Sequence, residues 1–169
     1  TLSTHYSQNM KIKDIYNFCP RPLDFVCHEQ VPELMESDSK LLYDLIYDID
    51  TCKIGERKQK RLSYGIQSAG NLFKRPEKSF KSLEVALSKL IRNYFLRFKE
   101  KPCEFISSFP KEVEFSSSWF VKMQSGGHLS SHIHEDGWIS GAVYLSVPKN
   151  SNHQDEGGIE LSTDGDEYP

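Results

Sequence analysis

No run of about 18 apolar residues occurs in the 169-residue chain, so the sequence predicts no membrane-spanning helix. The first residues are polar, without the apolar stretch of a secretory leader. Cysteine is sparse: Cys19, Cys27, Cys52 and Cys103 form no C-x-x-C pair and fit no zinc module. Together these absences predict a cytoplasmic chain with reduced thiols. A glycine-rich phosphate loop, a G-x-S-x-G elbow and an H-E-x-x-H helix are all missing. That removes P-loop nucleotide hydrolysis, α/β-hydrolase chemistry and zincin proteolysis from consideration. Charge of one sign is not in excess: the formal net charge is -3, which gives no general attraction to nucleic acid. One basic cluster stands out, Lys53, Arg57, Lys58, Lys60 and Arg61. It reads first as a solvated loop, with an anionic partner or substrate as the lesser reading. Internal repeats and low-complexity linkers are lacking.

What is present fits one globular α+β domain with a core of its own: 37% of residues are hydrophobic and 12% aromatic. Ile12, Ile15, Tyr16, Phe25 and Val26 predict one or two early strands. Leu41, Leu42, Leu45, Ile46 and Ile49 recur at helical spacing within 37–51, with Ser37 or Asp38 as N-cap. Residues 51–75 read as a long polar connection containing one ordered segment, Gly65 to Phe73. The strongest periodicity covers 79–99, where Phe80, Leu83, Leu87, Leu90, Ile91, Tyr94, Phe95 and Phe98 fall on one face. Lys101-Pro102 ends it. After Pro110 the period shortens toward 2. Strands are predicted around 119–124, 128–132, 138–147 and 158–162, with Gly126-Gly127 as a break. Helices followed by consecutive short strands predict helices packed on a β-sandwich or barrel, with 1–110 as a mixed N-terminal part and 111–169 as the start of the β core.

Chemistry concentrates in His132-Ile-His134-Glu135-Asp136. On an extended chain residues i and i+2 share a face, so both imidazoles can approach one metal ion. A carboxylate, Glu135 or Asp136, follows directly. Histidines with one carboxylate and open positions suit non-haem Fe(II), although imidazole alone does not select the metal. His128 lies in the same seven-residue window. The competing interpretation is a polar strand end facing solvent. A cupin-type site would need a glutamate three or four residues after the second histidine, where Gly137 and Trp138 stand. His153, in a polar run, reads as a surface turn.

A longer stretch carries a resemblance. Gly126-Gly-His-Leu-Ser-Ser-His132-Ile-His134-Glu-Asp-Gly-Trp138-Ile-Ser-Gly-Ala-Val-Tyr144-Leu-Ser-Val-Pro148, then Gly157-Gly-Ile-Glu-Leu161, resembles the 2-oxoglutarate/Fe(II) oxygenases. It is closest to a branch often fused to tetratricopeptide repeats, whose pattern runs near H-I-H-x-x-G-W-L-S-G-V-Y-Y-x-x-P and then G-x-I-E-F. Gly65 to Phe73 is similar to the segment ahead of that branch's long helix, so the likeness spans roughly residues 60 to 169. The resemblance implies a double-stranded β-helix, or jelly roll, with flanking N-terminal helices. It implies Fe(II) and 2-oxoglutarate as cofactors and hydroxylation of a protein or small-molecule substrate.

His132 matches the first iron ligand. The second would be His134, at a place where many oxygenases carry a carboxylate, or Asp136. Tyr144 resembles the tyrosine that some relatives use to hold the far carboxylate of 2-oxoglutarate, against the alternative of a packed strand aromatic. The family's distal histidine and its 2-oxoglutarate-binding arginine lie on later strands. Here only His153 follows His134, and no arginine follows Arg97. The chain, which starts at Thr1, is therefore expected to be part of a longer protein with an incomplete jelly roll. Two rival functions are a non-catalytic jelly-roll binding module and a different histidine-ligated metalloenzyme.

Overall fold

A computed structural model describes residues 2–16, 18–134, 136–147 and 156–163. Helices are α1 (Leu2–Asn9), α2 (Pro32–Met35), α3 (Lys40–Thr51), α4 (Lys78–Phe98) and α5 (Glu104–Ser107). Short 3-10 turns cover Pro22–Phe25 and Leu72–Lys74. Strands β1 (Glu56–Arg57), β2 (Leu62–Ser68) and β3 (Val121–Leu129) form one antiparallel sheet in the order β1-β2-β3. The chain divides into two compact units, Gln30–Ile91 with Glu112–Leu145, and Thr1–Glu29 with Arg92–Lys111 and Ser146–Pro169.

The sheet-bearing unit is built on the apolar faces of α3 and α4. Leu45 is fully buried and Phe80 only 1% exposed, and Leu34, Leu72, Phe73 and Ala86 complete the centre. The helix predicted over 37–51 begins at Lys40, because Ser39 is the residue that caps it. The Ser39 hydroxyl accepts from the Leu42 amide at 3.0 Å and donates to the Glu33 carbonyl at 2.7 Å, which ties α2 to α3. The helix predicted over 79–99 is α4, displaced by one residue. The Ser79 hydroxyl donates to Asp48 of α3 at 2.5 Å.

Residues 51–75 depart from the expected polar connection, since they contain β1 and β2. The last two residues of β2, Gln67 and Ser68, are both buried although they point to opposite faces. Ser68 exchanges two bonds with Phe120: its amide donates to the Phe120 carbonyl and its hydroxyl accepts from the Phe120 amide, each at 3.0 Å. The Ser68 hydroxyl thus occupies a buried strand position with its hydrogen bond made. Asn71 extends the clamp. Its Oδ1 accepts from the Phe73 amide and the Ser118 hydroxyl, and its Nδ2 donates to the Ser116 carbonyl.

Gly126-Gly127 does not end β3 but bulges it. Ser63 pairs with His128 and Gly65 with Met123, so the chain from 124 to 127 is opposite Tyr64 alone. Gly126 has φ +76, and a Cβ on Gly127 would lie 2.8 Å from the carbonyl oxygens of both Gln124 and Tyr64. Only glycine allows that approach. The bulge returns β3 to register at Leu62–Leu129.

The strands expected at 138–147 and 158–162 are absent among the described residues. Val143 and Leu145 do pack on the core with Tyr144 half-exposed between them. No described segment hydrogen-bonds to them as a neighbour, and a strand requires one. Among the described residues the β structure is this three-stranded sheet, without a jelly roll. The α+β class stands.

The second unit holds an aromatic cluster. Phe98, Phe105 and Ile106 are buried, and Phe25 meets Phe98 and Phe105 with ring centroids 5.2 and 5.3 Å apart. Tyr94 donates to the Phe25 carbonyl at 2.8 Å. Burial, reinforced by the thiols of Cys27, Cys19 and Cys103, pushes its phenol well above the ordinary value. The early strands expected from Ile12 to Val26 are not formed among the described residues. Ile12, Ile15 and Tyr16 are exposed, and Pro22–Phe25 is a 3-10 turn that presents Phe25 to this cluster. All four cysteines are free thiols, and no described helix is long and apolar enough to cross a membrane.

Candidate functional site

The sheet end where β2 starts and β3 stops carries the histidines. Beyond Leu129 the ladder continues for one bond, from the Ser130 amide to the Arg61 carbonyl at 2.9 Å. The Arg61 guanidinium donates to the Ser131 carbonyl. The chain then extends through His132, Ile133 and His134. As i,i+2 spacing predicts, both rings fall on one side, with Nε2 atoms 3.1 Å apart and centroids 5.0 Å apart. Ile133 points away and is 81% exposed.

Each ring is held from its other nitrogen. His132 Nδ1 lies 2.9 Å from the Ser130 carbonyl, which can only accept, so Nδ1 carries the proton. In the neutral ring Nε2 of His132 then bears a lone pair aimed at His134. His134 Nδ1 is 3.2 Å from the Ser140 hydroxyl, a group able to donate or accept. Trp119 stacks on the His134 ring, with centroids 5.7 Å apart and planes 14° apart. In the metal-free pair the His134 Nε2–H points to His132, and Ser140 donates to Nδ1. If Nε2 were instead to bind a cation, the His134 proton would sit on Nδ1 and Ser140 would accept it. The hydroxyl thus permits either state without a change of backbone.

The separation of the two nitrogens matters for chemistry. Two imidazoles bonded to one ion at about 2.1 Å and about 90–110° apart are separated by roughly 3.0–3.4 Å. The observed 3.1 Å falls in that window, so the donor pair fits a transition-metal ion. Among the described residues no third His, Cys, Asp or Glu gathers with the pair. Asp136 is exposed, and Gly137 at φ +97 turns the chain directly after it. His128 stands apart, with its Nδ1 directed to the Gly126 carbonyl at 3.4 Å. Tyr144 is 51% exposed in the irregular segment between Val143 and Leu145. Glu135 and His153 lie outside the described residues.

Sequence reasoning missed Arg61, Ser130, Ser140 and Trp119. A weak signal existed for Arg61, which the basic cluster had singled out for a different reason. Nothing local signals Ser130 or Ser140, because their role comes from where the chain folds back.

No curated protein and no solved structure matches the chain. One family model does match, over residues 117–169, and its description is "Putative 2OG-Fe(II) oxygenase". The matched stretch includes Trp119, His132, His134, Ser140 and Tyr144, while Gly65 to Phe73 lies before it. Residues 117–169, less than half of the chain, are thus similar to the 2OG-Fe(II) oxygenase family, in line with the likeness from Gly126 to Leu161.

Proposed function

We propose that this chain carries the metal-binding part of an Fe(II)- and 2-oxoglutarate-dependent dioxygenase acting as a hydroxylase. The observation that carries the reading is the His132–His134 pair, with its 3.1 Å Nε2 separation and both Nδ1 atoms held by hydrogen bonds. The family match over the same residues supports it. In this reading His132 and His134 are two protein ligands, and Asp136 is the candidate carboxylate. Tyr144 receives the far carboxylate of 2-oxoglutarate. Further ligand and anchor groups, and the strands that would complete a jelly roll, come from outside the described residues. Fe(II), when bound, supplies the redox centre at which oxygen and 2-oxoglutarate are consumed to give succinate, carbon dioxide and a hydroxylated product. The chain's own residues orient two lone pairs, fix the His132 proton on Nδ1, and cover one face of His134 with an indole ring.

Anaerobic Fe(II) titration with and without 2-oxoglutarate tests the proposal. The expected result is a metal-dependent absorption that changes when 2-oxoglutarate is added, and succinate once oxygen is admitted. Fe(II) binding with neither effect would leave a different histidine-ligated metalloenzyme. That second reading is favoured by the absence of a third gathered ligand among the described residues. No metal binding at all would leave a non-catalytic module.

A further inference from the structure

We infer that Arg61 is a positioning residue that sets the proton and the direction of the His132 ring. Three consecutive peptide planes lead into His132. The first is fixed by the Ser130 amide donating to the Arg61 carbonyl at 2.9 Å. The third is fixed by the Ser131 carbonyl, which accepts from the Arg61 guanidinium. The middle plane carries the Ser130 carbonyl, the acceptor of the His132 Nδ1 proton at 2.9 Å. Peptide units are rigid, so anchoring the two outer planes leaves the middle one little freedom to rotate. One arginine, through its backbone oxygen and its side chain, therefore directs the carbonyl that selects the His132 tautomer. With that acceptor in place Nε2 is left bare and aimed at His134. The guanidinium is exposed, so its removal leaves no buried group unpaired.

The rest of the basic cluster does something else. Among the described residues no ion pair involves Lys53, Arg57, Lys58 or Lys60. Arg61 alone in the cluster reaches the histidine segment.

The inference about the tautomer stands by itself, whereas its effect on metal affinity rests on the proposed metal-binding reading. The test compares the 169-residue chain with Arg61→Ala and Arg61→Lys. Long-range nitrogen–proton NMR of the metal-free protein reads the tautomer of each imidazole. The expected result is His132 protonated on Nδ1 in the parent, a mixture of tautomers in Arg61→Ala, and the parent state restored in Arg61→Lys, which still has a donor for the Ser131 carbonyl. Zn(II) alone, titrated calorimetrically, should bind about 10-fold more weakly to Arg61→Ala. An unchanged His132 tautomer in Arg61→Ala, with the protein folded, overturns the inference. If Arg61→Ala fails to fold, Arg61→Met, which keeps the aliphatic stem but has no donor, takes its place with the same readout. A parent protein that ignores Zn(II) removes the metal-binding reading, while the tautomer measurement still decides the role of Arg61.

Discussion

Within the sheet-bearing unit, the helical part and the stretch from Trp119 to Leu145 treat apolar side chains in opposite ways. Leu45, Phe80 and Ala86 on α3 and α4 are each at most 2% exposed. Trp119, Met123, Ile133, Trp138, Ile139 and Tyr144 are all 37% to 81% exposed. The first region removes apolar area from water, which is the main source of folding free energy. The second rests Phe120, Val143 and Leu145 against that core but leaves these six side chains partly in water, and it holds its shape through hydrogen bonds to β2 and through two glycines. The fully buried core is built on the helices and their neighbours, and the candidate chemistry belongs to a segment that packs against that core without a buried residue among those described. Loops and strand ends that carry function commonly lean on a scaffold in this way.

Substitutions can break or sharpen that contrast. Phe80→Ala should cost about 3–5 kcal/mol in urea unfolding, because a ring that is 1% exposed leaves a cavity. A cost below about 1 kcal/mol would mean that the helices are not the stable region.

Gly127→Ala is the next largest. A Cβ 2.8 Å from two backbone oxygens forces β3 to shift, at a cost of about 1–3 kcal/mol. Metal affinity should fall with it, since the bulge feeds the histidine segment. An unchanged melting point would show that the bulge is not needed.

Glu77→Gln should cost about 1 kcal/mol. The carboxylate, at the start of α4, accepts from Arg75 Nε at 3.1 Å and from Nη2 at 2.5 Å, with side-chain exposures of 28% for Arg75 and 14% for Glu77. The Arg75 guanidinium holds the Glu77 carboxyl below its ordinary 4.5. A depressed native value means that the stabilisation is complete above pH 4.5 and drains away as pH falls through the lower native value. The difference between parent and variant should therefore be constant near pH 7 and vanish in acid. A difference that grew on acidification would contradict the pairing.

The smallest effect on stability is expected at the site. His132→Ala should move unfolding by less than about 0.5 kcal/mol, the usual range for an exposed position, yet remove most binding of Zn(II) or Fe(II). A large loss of stability there would join the two regions that the comparison separates.

The same division explains what could be read from the sequence. Helix α4 was legible to within one residue because its apolar positions alone decide it. Its buried stripe repeats at three and four residues, and no partner needs to be known. The histidine pair was legible for a similar reason, since both rings lie on one three-residue segment. β2 was hidden because its buried positions are the polar Gln67 and Ser68, and the hydrogen bonds of Ser68 come from Phe120, about fifty residues away. At 138–147 the apolar run reads as a strand, but a strand also needs a hydrogen-bonded neighbour that the run does not name. Arg61 and Ser140 were invisible as partners of the histidines because only the folded chain brings them there.

The closeness of His132 and His134 in the sequence has a thermodynamic consequence. Two donors joined by a single intervening residue are also near each other in the denatured ensemble, so an unfolded chain retains part of the chelate. A ligand raises the melting temperature only by its preference for the native state over the denatured one. Saturating metal should therefore raise the melting point less than its dissociation constant for the folded protein implies. That shortfall measures how much of the binding is local to three residues and how much the tertiary scaffold adds.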